Sequence, residues 1–242
     1  MTPSPLPILG PHDGLLLVDK PSGPTSHDIV AQIRRRFRYD KVGHGGTLDP
    51  MATGLLVLLL GKGTKISERV MGHDKTYEGV LRLGLETDSQ DADGQIIAEH
   101  DPSAITFEQV EAQMKARLGD QLQTPPMVSA IKIKGVPLYK LARKGQTVER
   151  APKLIHVYRF ELVKFAPPEV AFRVECTKGT YVRTLAHDIG QSLGVGAHLG
   201  QLRRTRIGQL DVAQASPLDD LLSLSSLDGR ILPLASALPL LS

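Results

Sequence analysis

The run Leu55-Leu56-Val57-Leu58-Leu59-Leu60 constrains this chain more than any other stretch. An apolar run without alternation reads as a strand buried on both faces, so the fold must place a layer on each side of it. Just before it stands Gly43-His44-Gly45-Gly46-Thr47-Leu48-Asp49-Pro50, then Met51-Ala52-Thr53-Gly54. Three glycines in four residues leave the backbone free to adopt positive φ and to approach a ligand closely. The proline pins the residue after the Asp. Asp49 is thereby held at the mouth of a core strand, where a nucleophile can sit. Such a loop is equally a tight turn whose Asp caps local amides.

At 242 residues the chain has room for one large domain or two small ones, burying roughly 70–75% of its unfolded surface. Cys176 is the single cysteine, which excludes an internal disulfide and a cysteine-rich zinc site. No apolar run reaches membrane-spanning length, and Met1-Thr2-Pro3-Ser4-Pro5 lacks a signal pattern, so a cytoplasmic protein is expected. The net charge of +3 is uneven: Asp211, Asp219, Asp220 and Asp228 against Arg230 leave −3 in residues 207–242 and +6 in the first 206. Basic clusters stand at Arg34-Arg35-Arg36 with Arg38, and at Arg203-Arg204 with Arg206. They suit a polyanion, through counterion release, and they equally suit a solvated helix face. With no Trp and 4% aromatics, stacking platforms for single strands are scarce, so a folded nucleic acid fits better.

Along the chain, residues 14–20 read as a short apolar strand ending in Lys20. Pro24-Thr25-Ser26-His27-Asp28 opens a helix with Thr25 and Asp28 at capping-box spacing and Ile29, Val30, Ile33 and Phe37 on one face. Thr64 to Met71 is expected as a short helix and residues 75–84 as a half-buried strand. The polar turn Thr87-Asp88-Ser89-Gln90-Asp91-Ala92-Asp93-Gly94 invites a calcium reading. Placing Gly94 at the sixth position of an EF-hand loop puts His100 where the bidentate Glu belongs, so metal is rejected there. Thr106 to Leu118 reads as a helix with a Thr106/Gln109 capping box and Gly119 as its stop. Residues 124–152 look like an inserted, basic flap containing a helix at 140–144. Two strands, Ile155 to Phe165 and Val170 to Thr177, turn at Pro167-Pro168; a helix Thr184 to Leu193 stops at Gly194, and a strand carries Leu202. The class is α+β with a mainly antiparallel mixed sheet and flanking helices.

No phosphate-binding Gly-x-x-x-x-Gly-Lys-Ser/Thr, His-Glu-x-x-His or Gly-x-Ser-x-Gly pattern occurs. What remains is a carboxylate, a tyrosine on a strand and an arginine behind a Gly-Thr-Tyr turn. Lys20-Pro21-Ser22-Gly23-Pro24-Thr25-Ser26, the 43–50 loop, Lys75-Thr76-Tyr77, Pro125-Pro126-Met127-Val128-Ser129-Ala130-Ile131-Lys132 and Lys178-Gly179-Thr180-Tyr181-Val182-Arg183 occur in one order. In these motifs, from about residue 12 to about 210, the chain resembles the TruB family of tRNA pseudouridine synthases, which act on uridine 55 of the T arm.

The resemblance implies a pseudouridine synthase fold and Asp49 as nucleophile, with Arg183 set against it to favour the charged carboxylate. A surface phosphate contact is the plain alternative for Arg183. Tyr77 falls where the family stacks a tyrosine on a flipped uracil, and it could equally be core. Lys20 and Tyr181 look like supports of the same pocket, Leu202 like an apolar wall beside the base. His44 resembles the histidine that fills the space left by the flipped uridine, with turn capping as the alternative. Isomerisation exchanges no electrons, so neither metal nor cofactor is expected. The implied partner is the tRNA T-arm stem-loop, bound by a monomer. A non-catalytic tRNA chaperone, or a synthase of this fold acting on another RNA, are the competing readings. The implied layout is a catalytic domain over 1–212, a thumb at about 124–152, and a tail 213–242 too short for the PUA domain that many bacterial members carry. Lys153 stands where the family pattern leads one to expect arginine.

Overall fold

The apolar run forms the strand Thr53–Leu60, buried from Gly54 onward as a run facing two layers requires. In the computed structural model, which describes residues 12–129, 132–133, 136–138 and 148–241, the chain divides into two compact units. One takes Met1–Lys75 with Arg203–Ser242, the other Thr76–Leu202.

In the first unit, strand Gly14–Lys20 runs antiparallel beside Thr53–Leu60, with Gly14 opposite Leu60 and Lys20 opposite Gly54. Lys20 therefore reaches the end of the pair that bears the Asp49 loop. Val42–His44 lies along Leu58–Leu60, so the first part of the Gly-rich loop is itself a strand. Arg203 and Arg204 pair in parallel with Thr53 and Gly54. Alternation sends Leu15, Leu17, Leu55, Val57 and Leu59 to one face, where they pack with Val70, Ile207, Leu210, Ala237 and Leu241. Leu16, Val18, Leu56, Leu58 and Leu60 are buried on the other face. Helix Ser26–Phe37 begins with the expected capping box and buries Ile29, Val30 and Ile33.

One expectation changes here. The single helix over 64–71 is a 3₁₀ turn, Gly61–Ile66, followed by the short helix Ser67–Gly72, neither with a side-chain cap. Gly61 and Gly63, poor helix formers, open this segment; Gly63 also packs directly on the Gly14 carbonyl, where a Cβ would collide. Segments of the tail add strands and buried side chains to this unit. Ser216–Pro217 pairs with Val18 and Asp19, Ile231–Pro233 pairs with Gly14 to Leu16, and Leu218, Leu221, Leu227, Leu234 and Leu241 are buried.

In the second unit the 197–202 part of strand Ala197–Ile207, then Lys75–Leu83, Glu169–Cys176, Lys153–Ala166 and Gly119–Gln123, follow one another in sheet order. The long hairpin Lys153–Ala166/Glu169–Cys176 is antiparallel and turns at a cis Pro167-Pro168 bond. Helix Phe107–Lys115 has the expected Thr106/Gln109 capping box. It stops short of Leu118 because the amides of Arg117 and Leu118 bond to carbonyls three residues back, the tightening common at helix ends. Helix Val182–Leu193 starts two residues earlier than expected and ends at Gly194, φ 75°. In the 124–152 insertion, Lys132–Ile133 pairs with Val136–Pro137, while the helix expected at 140–144 lies outside the described residues. The strand pairings are mixed and mostly antiparallel, with flanking helices, as the α+β reading expects.

Candidate active site

Asp49 stands half-buried on a loop whose carbonyls from Gly46 to Pro50 all accept hydrogen bonds. Gly46 has φ 135°, and at Gly45 an added Cβ would run into the Val70 side chain, so glycine is required at both places for different reasons. The Gly45 amide donates to Val57 O at 2.8 Å. Ser26, at the first turn of its helix, donates its hydroxyl to Leu48 O at 3.1 Å and accepts the Leu48 amide at 2.9 Å. The Ala52 amide donates to Asp49 O at 3.1 Å and that of Gly23 to Pro50 O at 2.9 Å.

Two buried cations complete the frame. The Lys20 ammonium, 1% exposed, donates to the carbonyls of Pro21, Pro50 and Ala52 at 2.9, 3.0 and 2.7 Å. The Arg204 guanidinium, also 1% exposed, donates Nε to Leu55 O at 2.8 Å, Nη1 to Thr47 O at 3.3 Å and Nη2 to Gly46 O at 3.0 Å. Lysine holds the loop after Asp49 and arginine the loop before it. Its neighbour Arg203 makes a two-pronged pair with Asp19 at 3.0 and 2.7 Å. His44 is half-buried and its Nδ1 accepts the Gly46 amide at 3.4 Å, a turn-capping contact. Its ring stands edge-on to His27, centroids 5.9 Å apart. Burial first, then the charges of His27 and Arg204, hold its imidazole below the usual value, so it is neutral near pH 7.

The second unit holds Tyr77, Tyr181, Arg183 and Leu202. Arg183, 3% exposed, lies in the first turn of its helix, where a buried cation needs an anion. Its Nη1 meets Asp91 Oδ2 at 3.0 Å, and its guanidinium lies over the Tyr181 ring at 5.8 Å. Asp91 is held in turn by the Ser89 hydroxyl at 2.5 Å and the Asp93 amide at 3.2 Å. The polar 87–94 turn is thus the seat of an arginine. Gln123 exchanges two hydrogen bonds with the Tyr181 backbone, at 2.8 and 3.1 Å, and so fixes the entry to that helix. Tyr77 is 9% exposed on the inward face of its strand, which it shares with Leu81 and Leu83 while Glu78 points out. Leu202 is buried on its strand. Among the described residues no cluster of three or more His, Cys, Asp or Glu suits a metal ion.

Sequence reasoning missed Asp91, Gln123, Asp19 and the role of Arg204. Asp91 and Arg204 each carried a signal, a carboxylate in a Gly-closed turn and a basic pair on a strand. Neither signal named its partner.

A family model described as the TruB family pseudouridylate synthase N-terminal domain matches residues 34–182, and one described as the tRNA pseudouridylate synthase B C-terminal domain matches residues 183–239. The chain belongs to the TruB family. It is accordingly a pseudouridine synthase, an RNA-modifying isomerase. The tRNA pseudouridine synthase B of Opitutus terrae is 54% identical over 229 residues, 94% of this chain and 95% of that protein. The enzyme of the same name from Syntrophotalea carbinolica is 50% identical over 207 residues, 86% of this chain and 68% of that one. Among solved structures, a chain of a Cbf5-Nop10-Gar1 complex superposes with TM-score 0.75 at 31% identity. That match covers 95% of this chain and spans 63% of the other's length. A chain of an H/ACA RNP bound to a substrate RNA containing 2'-deoxyuridine gives TM-score 0.65 at 30% identity, covering 86% of this chain and 52% of that one. Among the described residues no helix is long and apolar enough to cross a membrane.

Proposed function

We propose that this TruB member is a tRNA pseudouridine synthase that isomerises uridine 55 of the T loop, with Asp49 acting on a flipped-out uridine. The observation that carries the reading is the 54% identity to the tRNA pseudouridine synthase B of Opitutus terrae, across 94% of this chain and 95% of that protein. The reaction breaks the C1′–N1 bond of the nucleoside, turns the ring and closes C1′–C5; C5 loses a proton and N1 gains one, with no net redox change. A carboxylate that adds covalently to sugar or ring splits this into two steps. Asp49 suits that role because its loop is anchored on both sides, which limits the geometric search before attack. Arg183 favours the ionised carboxylate, Tyr77 stacks on the uracil and relays a proton, and Tyr181 and Leu202 shape the pocket. Lys20 holds the loop, and His44 occupies the space the uridine leaves.

In this reading residues 1–212 form the catalytic domain, the 124–152 insertion closes over the T arm, and the enzyme works as a cytoplasmic monomer without a cofactor. The test is Asp49→Asn, which removes the nucleophile with little change in volume or basic charge. Pseudouridine mapping on an unmodified tRNA should show product at position 55 with wild type and none with the variant, whose tRNA affinity stays within ~3-fold, about 0.7 kcal/mol. Single-turnover product with the Asn enzyme would remove Asp49 from the chemistry. Product at another uridine would overturn the T-loop assignment.

A further inference from the structure

At the end of the Gly14–Lys20/Thr53–Leu60 pair remote from Asp49, the first unit opens into a cleft of about 750 Å³. Gly14 pairs with Leu60 and Lys20 with Gly54, so six residue steps of roughly 3.3 Å, about 20 Å, separate this cleft from the end bearing the Asp49 loop. No residue of the site described above lines it.

Four cations line the cleft, Arg36, Arg38, Lys41 and Lys62, against Asp13 and Asp40. Asp13 is already engaged: it accepts the Lys62 amide at 2.7 Å and faces its ammonium at 3.7 Å. Arg36 braces the wall, donating to Leu222 O at 3.0 Å and Leu224 O at 2.5 Å. Arg38 and Lys41 are exposed. Arg38 closes its helix in the left-handed conformation, φ 56° and ψ 39°. Glycine or asparagine takes that position at little cost, whereas a residue with a longer side chain is disfavoured there. A conformational cost kept at a charged, exposed residue points to a use for the charge. Tyr39 supplies a phenol that burial, then Asp228 and Asp13, push above its ordinary value, so it stays a neutral donor. Ser225 and Ser226 add hydroxyls. No Asn or Gln is present to read adenine, and the deep, narrow major groove of an RNA helix keeps Arg and Lys from guanine edges, so the lining fits phosphate oxygens rather than sequence.

We propose that this cleft is a second RNA-contact surface, which takes backbone phosphates of the tRNA body outside the loop presented to Asp49. The proposal rests on tRNA being the substrate. It predicts that whole tRNA gains affinity here that an isolated T-arm hairpin does not.

The test measures Kd for an unmodified tRNA transcript and for a T-arm hairpin, at several salt concentrations, with three proteins. Arg38→Gly removes the charge and relieves the helix cap, so Tm should rise by about 2 °C while whole-tRNA affinity falls ~5-fold. The double variant Arg38→Glu/Lys41→Glu should weaken whole tRNA at least ~20-fold and flatten its salt dependence by about 1 to 2 log units per decade. Hairpin affinity and hairpin turnover should stay within ~3-fold in both variants. Equal weakening on both RNAs would mean a general field effect, and unchanged whole-tRNA binding would leave the cleft without RNA; either result overturns the proposal. Wild-type enzyme inactive on both RNAs would overturn the substrate assignment, a distinct failure.

Discussion

Arg204→Lys tests whether the loop frame matters to chemistry or only to folding. The change keeps the positive charge and much of the stem but replaces a planar fork by one nitrogen. The guanidinium reaches Gly46 and Thr47 on one side and Leu55 on the other, and a single ammonium can keep one of these partners well. Two hydrogen bonds from a buried charged group are lost, each worth about 1.5 kcal/mol at the low end, so stability should fall by about 3 kcal/mol. For a chain of this length that lowers Tm by about 6–12 °C, which leaves the protein folded at 25 °C. The loop before Asp49 then loses its Arg204 anchor at Gly46 and Thr47 and keeps the Ser26 contacts at Leu48, while Lys20 still holds the loop after it. A displacement of about 1 Å at a reacting group costs ~100-fold, or about 2.7 kcal/mol of barrier. We expect kcat on a T-arm hairpin to fall ~100-fold at 25 °C with KM and Kd within ~3-fold. Thermal melts, single-turnover rates and hairpin binding on the same preparation separate the two effects. A melt lowered as predicted with kcat within ~3-fold of wild type would refute the positioning argument and leave Arg204 a stabilising residue only.

Asp91→Asn leaves the buried Arg183 guanidinium with a neutral partner in place of the ion pair and should cost about 3 kcal/mol in denaturant unfolding. A loss under about 1 kcal/mol would show that the pair is not needed to hold Arg183. The depressed His44 imidazole gives a pH dependence of known sign. Above its unfolded value of 6.5 both states are neutral and nothing is lost; below it the unfolded chain binds the proton more readily, so stability falls as pH drops. His44→Asn keeps an acceptor for the Gly46 amide and removes this group, so the decline in unfolding midpoint between pH 7.5 and 5 should be shallower than in wild type. Identical declines would assign the acid sensitivity to other groups.

What was legible in the sequence was local. The two-faced run at 55–60, both capping boxes and the Gly194 stop depend on residues a few places apart, and the structure has them where spacing places them. The illegible parts depend on distant partners. Asp91 and Arg183 are 92 residues apart, and Arg204 reaches carbonyls 149 to 158 residues away. No periodicity announces a bond between a side chain and a remote carbonyl, because any residue supplies the carbonyl. The leucines of the tail suffered the same way. Their spacing is irregular, and they are buried because strand Gly14–Lys20 has an edge that short segments can cover.

The charge count misleads for a related reason. Three of the cations in the basic first 206 residues, Lys20, Arg183 and Arg204, are 1 to 3% exposed and cannot meet a phosphate. Two of them are spent on carbonyls. Around Asp49, the carbonyls of Gly46 and Thr47 accept from Arg204, Leu48 from Ser26, Asp49 from the Ala52 amide, and Pro50 and Ala52 from Lys20. A loop whose carbonyls are bonded one after another has few alternative conformations left, and that is the condition for a nucleophile to be in place before substrate arrives. Burying an ammonium and a guanidinium is expensive unless every donor is used, so the same contacts that fix the loop also make the burial tolerable. Positive charge in this chain therefore serves two separate ends. Buried cations organise the backbone around one carboxylate, and the exposed arginines at the end of the first helix and beyond remain for RNA. A residue tally adds the two kinds together, and only the burial of each side chain tells them apart.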